Sequence, residues 1–368
     1  MLPSIPCTLM RGGTSKGPYF HASDLPADPA ARNQLLLAAM GSPHVRQIDG
    51  IGGGDTLTSK VVIVSPSTRP GIDIDYLFAQ VSVEPAMVDT TPNCGNMLAG
   101  VGPFAIENGL VAASSPVTLL RIFNINTQKV VEALIQTPGG VVTYDGDTRI
   151  DGVPGSGAPI QLNFKNATGA KTGRLFPTGQ RQDVVDGVEV SMIDFATPLV
   201  FVPAQALGKS GHESKQALDA DGTLKARLES IRLQMAEKAG MGDVRNKVLP
   251  KIALVAPPGG DGAIASRYFT PWSCHSAYAV TGALCLSAAS VLPGTVVHAL
   301  ARLNADDAQL VRIEHPAGAL DIRLDIEGEL SAAEPNIVSA GLIRTARTLF
   351  KGQVLLPAEL DSLTAPSC

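Results

Sequence analysis

Twice along this chain a strand-like run leads into a polar turn and then into small apolar residues at helical spacing, and this recurrence limits the available folds more than any other feature. The first instance passes from Val81-Ser82-Val83 through Thr91-Pro92-Asn93-Cys94-Gly95-Asn96 to Met97, Leu98, Val101, Phe104, Ala105, Leu110 and Val111. That spacing predicts a helix starting near Cys94 and ending before Gly109, with Asn93 as its N-cap and Pro92 discouraging helix just before it. The second passes from a strand at 263–269 through a turn containing Cys274, His275 and Ser276 to a small-residue helix reaching 288. Residue identity between the two is weak, so the repeat is architectural: a duplicated unit with one central helix in each half.

The remaining pattern fits that frame. Strands are expected at 5–10, 19–20, 61–64, 73–83, 117–124, 128–137, 139–144 and 160–164 in the first half. In the second they are expected at 188–194, 199–202, 251–256, 312–315, 320–326 and 342–354. Helices are expected at 30–40, stopped by Gly41-Ser42-Pro43, and at 213–218 and 224–239, stopped by Gly240. The Gly-, Thr- and Lys-rich stretch 166–181 reads as the linker, which places the domains at 1–186 and 187–368, with the last strands free to pack back on the first domain. At 368 residues each half is long enough for its own core.

Charge and cysteine usage exclude several classes. With 29 basic and 34 acidic residues the net charge is −5, and no basic patch marks a nucleic-acid or membrane-surface partner. No apolar run approaches about 18 residues and no basic segment with an apolar run opens the chain, so the expectation is a soluble, cytoplasmic protein. Cys7, Cys94, Cys274, Cys285 and Cys368 are odd in number and widely spaced, giving neither a disulfide framework nor a zinc ribbon. No G-x-S-x-G elbow occurs, so a serine-hydrolase reading has no motif, and no H-E-x-x-H cluster occurs, so a metal is not required.

The chemistry then concentrates in a few residues. A cysteine in the first turn of a helix sits among unpaired N–H groups that lower a thiol pKa and bind carboxylates, which suits Cys94 to acid/base work on an anion; a small buried hydrophobe would also fit there. Lys60 abuts the apolar β-branched run Val61-Val62-Ile63-Val64, where partial burial would favour proton transfer, although lysines at strand edges are usually solvated. The loop Arg11-Gly12-Gly13-Thr14-Ser15-Lys16-Gly17 has hydroxyl and basic groups for carboxylates but the wrong order for a phosphate loop. Gly50 to Gly54 resemble a dinucleotide fingerprint only superficially, because a strand rather than a helix follows. Arg267, His275 and Ser276 lie around the second turn, where a polar helix cap also explains the histidine. Arg344 and Arg347, three apart in one expected strand, point to opposite faces, so at most one lines a site.

Five motifs in this order carry a resemblance: residues 11–17, Leu57-Thr58-Ser59-Lys60-Val61, Asn93-Cys94-Gly95-Asn96, residues 277–282 (Ala-Tyr-Ala-Val-Thr-Gly) and Arg344-Thr345-Ala346-Arg347. Together they resemble the PrpF family, which includes 2-methylaconitate isomerase and the 4-oxalomesaconate tautomerases and isomerases of aromatic-acid catabolism. Residues 40–43 (Met-Gly-Ser-Pro), 46–53 (Arg-Gln-Ile-Asp-Gly-Ile-Gly-Gly) and 98–104 (Leu-Ala-Gly-Val-Gly-Pro-Phe) resemble the 4-oxalomesaconate branch more closely. The resemblance implies an α+β, diaminopimelate-epimerase-like fold of two similar domains, each a curved, mostly antiparallel sheet around a central helix. It implies cofactor-independent proton transfer by Lys60 and Cys94. The loop charges and helix starts add the expectation that a small tricarboxylate is held by Arg11, Thr14, Ser15, Lys16, Gly95, Asn96, Arg267, His275 and Ser276. The region Cys274-His275-Ser276-Ala277-Tyr278 departs from the C-G-T/S-G setting of the second cysteine in diaminopimelate epimerases, which speaks against racemisation by a cysteine pair. Isomerisation of 2-methylaconitate or aconitate in propionate metabolism, and a non-catalytic acid-binding protein on the same scaffold, are the other readings. A homodimer is the working expectation for assembly.

Overall fold

The computed structural model describes residues 2–270, 272–305 and 307–364, so Cys368 lies outside the described residues. By its contacts the chain forms two units, one running to Leu162 and resuming from Ile343, the other running from Asn163 to Leu342. The first contains β1 (Ser4–Gly12), β2 (Ser15–His21), α1 (Pro29–Met40), β3 (Lys60–Pro66), β4 (Ile74–Val81), β5 (Val88–Asp89), α2 (Gly95–Leu98), α3 (Val101–Glu107), β6 (Val117–Asn124) and β7 (Lys129–Gln136). β8 (Ile160–Lys165) crosses the division. The second contains β9 (Asp183–Val185), β10 (Val188–Phe195), β11 (Thr197–Pro203), α4 (Lys215–Ala220), α5 (Gly222–Lys238), β12 (Lys251–Ala256), β13 (Ile264–Phe269), α6 (Val280–Val291), α7 (Val296–Leu300), β14 (Leu310–His315) and β15 (Gly318–Glu327). β16 (Asn336–Arg344) leads to β17 (Ala346–Leu355), which pairs antiparallel with β1.

The two units share one topology, which makes the duplication inferred from the sequence visible in hydrogen bonds. In the first, antiparallel hairpins β1–β2, β3–β4 and β6–β7 are joined by parallel pairings β2–β3 and β4–β6. In the second, hairpins β10–β11, β12–β13 and β14–β15 are joined by parallel pairings β11–β12 and β13–β14. Parallel neighbours need a crossover, and the helices supply it at matching places. α1 and the α4–α5 pair fill the first crossover of each unit, and α2–α3 and α6–α7 the second.

Local chemistry explains the elements. α1 starts where Asp28 accepts the Ala31 N–H at 2.8 Å with Pro29 behind it, and stops at Gly41 in the left-handed region. Its Leu35, Leu36, Ala39 and Met40 bury against Val61, Ile63, Ala79 and Val81 of β3 and β4, and Leu224, Leu228, Ile231 and Met235 of α5 do the same against Ile252 and Leu254 of β12. Each such Leu, Ile, Val or Met side chain stabilises the fold by about 1.5–3 kcal/mol. β3 is buried on both faces, since α3 packs on the face opposite α1; that is why Val61 to Val64 read as an unbroken apolar run. α6 is buried along its whole length, and no described helix is long and apolar enough to cross a membrane.

Several expectations are corrected. Residues 139–144 form no third strand, because Gly139 and Gly140 both take positive φ in a tight turn. The strand expected over 342–354 is two, parted at Thr345, so Arg344 ends β16 and Arg347 belongs to β17; the first is buried and the second exposed. The stretch 166–181 is built into the second unit: Asp194 accepts the Lys171 and Thr172 N–H groups, and Leu175 and Phe176 are buried. Gly187 sits in the turn between β9 and β10.

Candidate active site

In the first unit the site begins with strand register. Across the antiparallel β3–β4 pair, Lys60 faces Gln80, Val62 faces Phe78 and Val64 faces Tyr76. Directly opposed residues project from the same face, here the one turned away from α1. Lys60 Nζ accordingly donates to Gln80 Oε1 at 2.8 Å and stands 5.1 Å from the centre of the Phe78 ring. Gln80 is itself held, donating to the Ser59 and Thr56 carbonyls. Lys60 is 9% exposed and has no carboxylate within 4 Å among the described residues, so a polar amide and an aromatic face hold it. The Gly-rich stretch before it is a structural brace: Gln47 donates to Ser59 Oγ and accepts from the Gly54 N–H, and Ser59 Oγ donates to the Val81 carbonyl. Gly17 completes the placement, because a Cβ there would lie 1.8 Å from the Lys60 carbonyl oxygen.

The same face carries Cys94. Tyr76, four residues before Gln80 on β4, donates its hydroxyl to the Cys94 carbonyl at 2.9 Å, and Tyr19 of β2 donates to the Met97 carbonyl. Burial pushes both phenols well above their ordinary pKa, with the nearby Cys94 charge a smaller contribution in the same direction, so both remain neutral donors. Asn126 ties the approach loop to the sheet: it accepts the Phe78 N–H and donates to the Phe78 and Thr90 carbonyls. The residue capping the helix is Cys94 in extended backbone, with its carbonyl accepting the Leu98 N–H, rather than Asn93. The helix is also shorter than its spacing predicts, a single turn followed by α3, because the bonds at Ala99 and Gly100 tighten to three-residue steps. The N–H groups of Gly95, Asn96 and Met97, in that first turn, have no partner within the helix.

Around this turn the Arg11–Gly17 hairpin closes. Gly13 turns it at φ +53, and a Cβ there would sit 2.2 Å from Asn96 Oδ1. Asn96, 2% exposed, donates to Thr14 Oγ1 at 3.1 Å and accepts from Arg344 Nε at 3.2 Å. Ser15 is buried. Lys16 is half-buried, with its N–H on the Leu57 carbonyl. Arg11 behaves differently from expectation: its Nη1 folds back onto the Gly13 and Thr345 carbonyls, both at 2.9 Å, so it latches the hairpin to the chain beyond β16.

Arg267, His275 and Ser276 lie in the second unit. Arg267 is buried and donates to the Glu213 and Ser266 carbonyls, and burial lowers its pKa. His275 does not begin α6, which starts at Val280; its Nδ1 accepts the Ala277 N–H and so closes a local turn. Ser276 is exposed. Cys7, Cys94, Cys274 and Cys285 are all free thiols, and burial pushes Cys7 and Cys274 up to about 12. Sequence reasoning passed over Tyr19, Tyr76, Gln80 and Asn126, whose signal lies in cross-strand register rather than in any local motif.

Comparisons with known proteins agree with this architecture. The family model described as PrpF protein matches residues 2–357. The (4E)-oxalomesaconate Delta-isomerase of Novosphingobium sp. (strain KA1) is 49% identical, covering 96% of this chain and 98% of that one. The 4-oxalomesaconate tautomerase of Pseudomonas putida (strain KT2440) is 48% identical, covering 96% of both. The crystal structure of methylitaconate-delta-isomerase superposes with a TM-score of 0.79 at 38% identity, covering 99% of this chain and 97% of that one. With the duplicated topology, these matches establish the diaminopimelate-epimerase-like fold. The chain belongs to the PrpF family and is an isomerase.

Proposed function

We propose that the enzyme moves a proton, and with it a double bond, within an unsaturated polycarboxylate of the 4-oxalomesaconate type, with Lys60 and Cys94 as the acid/base pair and no cofactor. What supports this reading is that Lys60, held by Gln80 and Phe78, and the turn of Cys94, whose backbone carbonyl Tyr76 holds, are both contacted by side chains of one face of the β3–β4 pair. One group removes a proton from the carbon γ to a conjugated carboxylate or keto group, and the other returns a proton at the α carbon or at the enolate oxygen. The first product is an allylic isomer and the second a tautomer. The dienolate between them spreads charge onto oxygen, where the Gly95 and Asn96 N–H groups are suited to hold it. Thr14, Ser15 and Lys16 supply further donors for substrate carboxylates.

Names of relatives at 49% and 48% identity support 4-oxalomesaconate as the substrate class. A second reading, isomerisation of methylaconitate or aconitate, is favoured by a 2-methyl-aconitate isomerase of Shewanella oneidensis at 35% identity. Incubation with 4-oxalomesaconate and with trans-aconitate, followed by ultraviolet absorbance and proton NMR in deuterated water, separates the two. Lys60→Met and Cys94→Ser should each lower kcat by about 10²–10⁴-fold, the usual worth of a positioned acid or base. Full turnover and full deuterium incorporation by Lys60→Met would remove lysine from the mechanism.

A further inference from the structure

We propose that Arg344 is the anchor for one carboxylate of the substrate, with Ser15 of the hairpin that Asn96 closes as a second donor. This rests on the polycarboxylate reading above and names the group that recognises it. Arg344 is 6% exposed, and its guanidinium makes contacts that leave its charge unmatched: Nε to Asn96 Oδ1 and Nη1 to the Ile343 carbonyl, both at 3.2 Å. Among the described residues no carboxylate lies within 4 Å of it, whereas the fully buried Arg232 is paired with Glu229. An arginine that neutral oxygens alone surround keeps donor capacity in the fork geometry that suits a carboxylate. Burial lowers its pKa to about 10, which leaves it charged at neutral pH.

A second observation comes from the facing hairpin. Ser15 is 2% exposed, and its Oγ has no hydrogen-bond partner among the described residues. A buried hydroxyl without a partner is uncommon and unfavourable, so its presence next to Thr14, which Asn96 bonds, is a feature in need of a function. One carboxylate oxygen pair satisfies both features, accepting the guanidinium N–H groups and the serine O–H. Asn96, bonded to Thr14 and to Arg344, then sets the anchor against the turn that carries Cys94.

The test is binding of tricarballylate, a saturated tricarboxylate that cannot isomerise, by calorimetry, beside glutarate and methylsuccinate, which lack its central and one terminal carboxylate respectively. Arg344→Met should weaken tricarballylate about 10- to 100-fold, as for loss of a hydrogen bond to a charged group, and leave one of the two dicarboxylates within about twofold. Arg344→Lys should restore part of the loss, and Ser15→Ala should weaken tricarballylate and the same dicarboxylate that Arg344→Met weakens, while sparing the other; these two variants carry the test if Arg344→Met does not fold. Equal weakening of all three acids, unchanged tricarballylate affinity, or no binding to the wild type overturns the assignment. Because nothing turns over, the outcome is separate from that of the Lys60 and Cys94 variants.

Discussion

Replacing Gly17 by alanine probes whether strand spacing places Lys60, the proposed proton-transfer residue. The added Cβ would stand 1.8 Å from the Lys60 carbonyl oxygen, 2.8 Å from its carbonyl carbon and 3.2 Å from Met97 Cε. Two of these are backbone atoms, so a rotamer change relieves only the Met97 contact. The Lys60 contact must open to about 3.4 Å, the start of ordinary packing. β2 and β3 are each paired on their other edge, to β1 and β4, so the movement strains hydrogen bonds on both sides. Overpacking of this kind costs about 1–3 kcal/mol, which lowers Tm by roughly 2–12 °C for a unit of this size. A displacement of about 1 Å in a reacting group costs on the order of 10²-fold in rate. Calorimetric melting and kcat on 4-oxalomesaconate measure the two effects. Gly222→Ala, at the open first position of α5, is the control and should be neutral or slightly stabilising. If Gly17→Ala melts and turns over like the wild type, close backbone approach does not place Lys60.

Two further outcomes are expected. Burial penalises the charge of Glu314, but the N–H groups of Gly259, Gly262 and Gly260, at 2.8–2.9 Å, outweigh it and hold the carboxyl below its ordinary 4.5. Its stabilising contribution is therefore present above that value and fades as pH falls through the depressed folded value; the gap in denaturation midpoint between wild type and Glu314→Gln should shrink in acid, and a gap independent of pH would contradict this. Burial pushes Cys7 and Cys274 up to about 12, so peptide mapping after alkylation of the native protein at about pH 8 should find both unlabelled. Rapid labelling of either would show that the surrounding core opens.

Local chemistry carried further for the fold than for the site. The apolar run Val61 to Val64 identified a strand with Lys60 at its head, but that the strand is buried on both faces and that Lys60 lies opposite Val61 and Ile63 came from the packing. Gly41 marked the end of α1, whereas its cap at Asp28, with Pro29 behind it, came from the structure. The helix after Cys94 was legible in its apolar spacing but not in its break, since the tightened bonds at Ala99 and Gly100 arise while Tyr19 and Tyr76 hold carbonyls of this turn from two strands.

What the sequence determined by itself is therefore the inventory: a duplicated α+β scaffold, a thiol at a turn into a helix, and a lysine at the head of a buried strand. What only the tertiary structure decided is the company those groups keep. Gln80 reaches Lys60 through antiparallel register, and Arg344 meets Asn96 across 248 positions of chain. The physical reason is that periodicity and capping act over one or two turns of chain, whereas pairing register and burial depend on which distant segments share a sheet. A guanidinium buried without a counter-charge has no signature in the residues next to it.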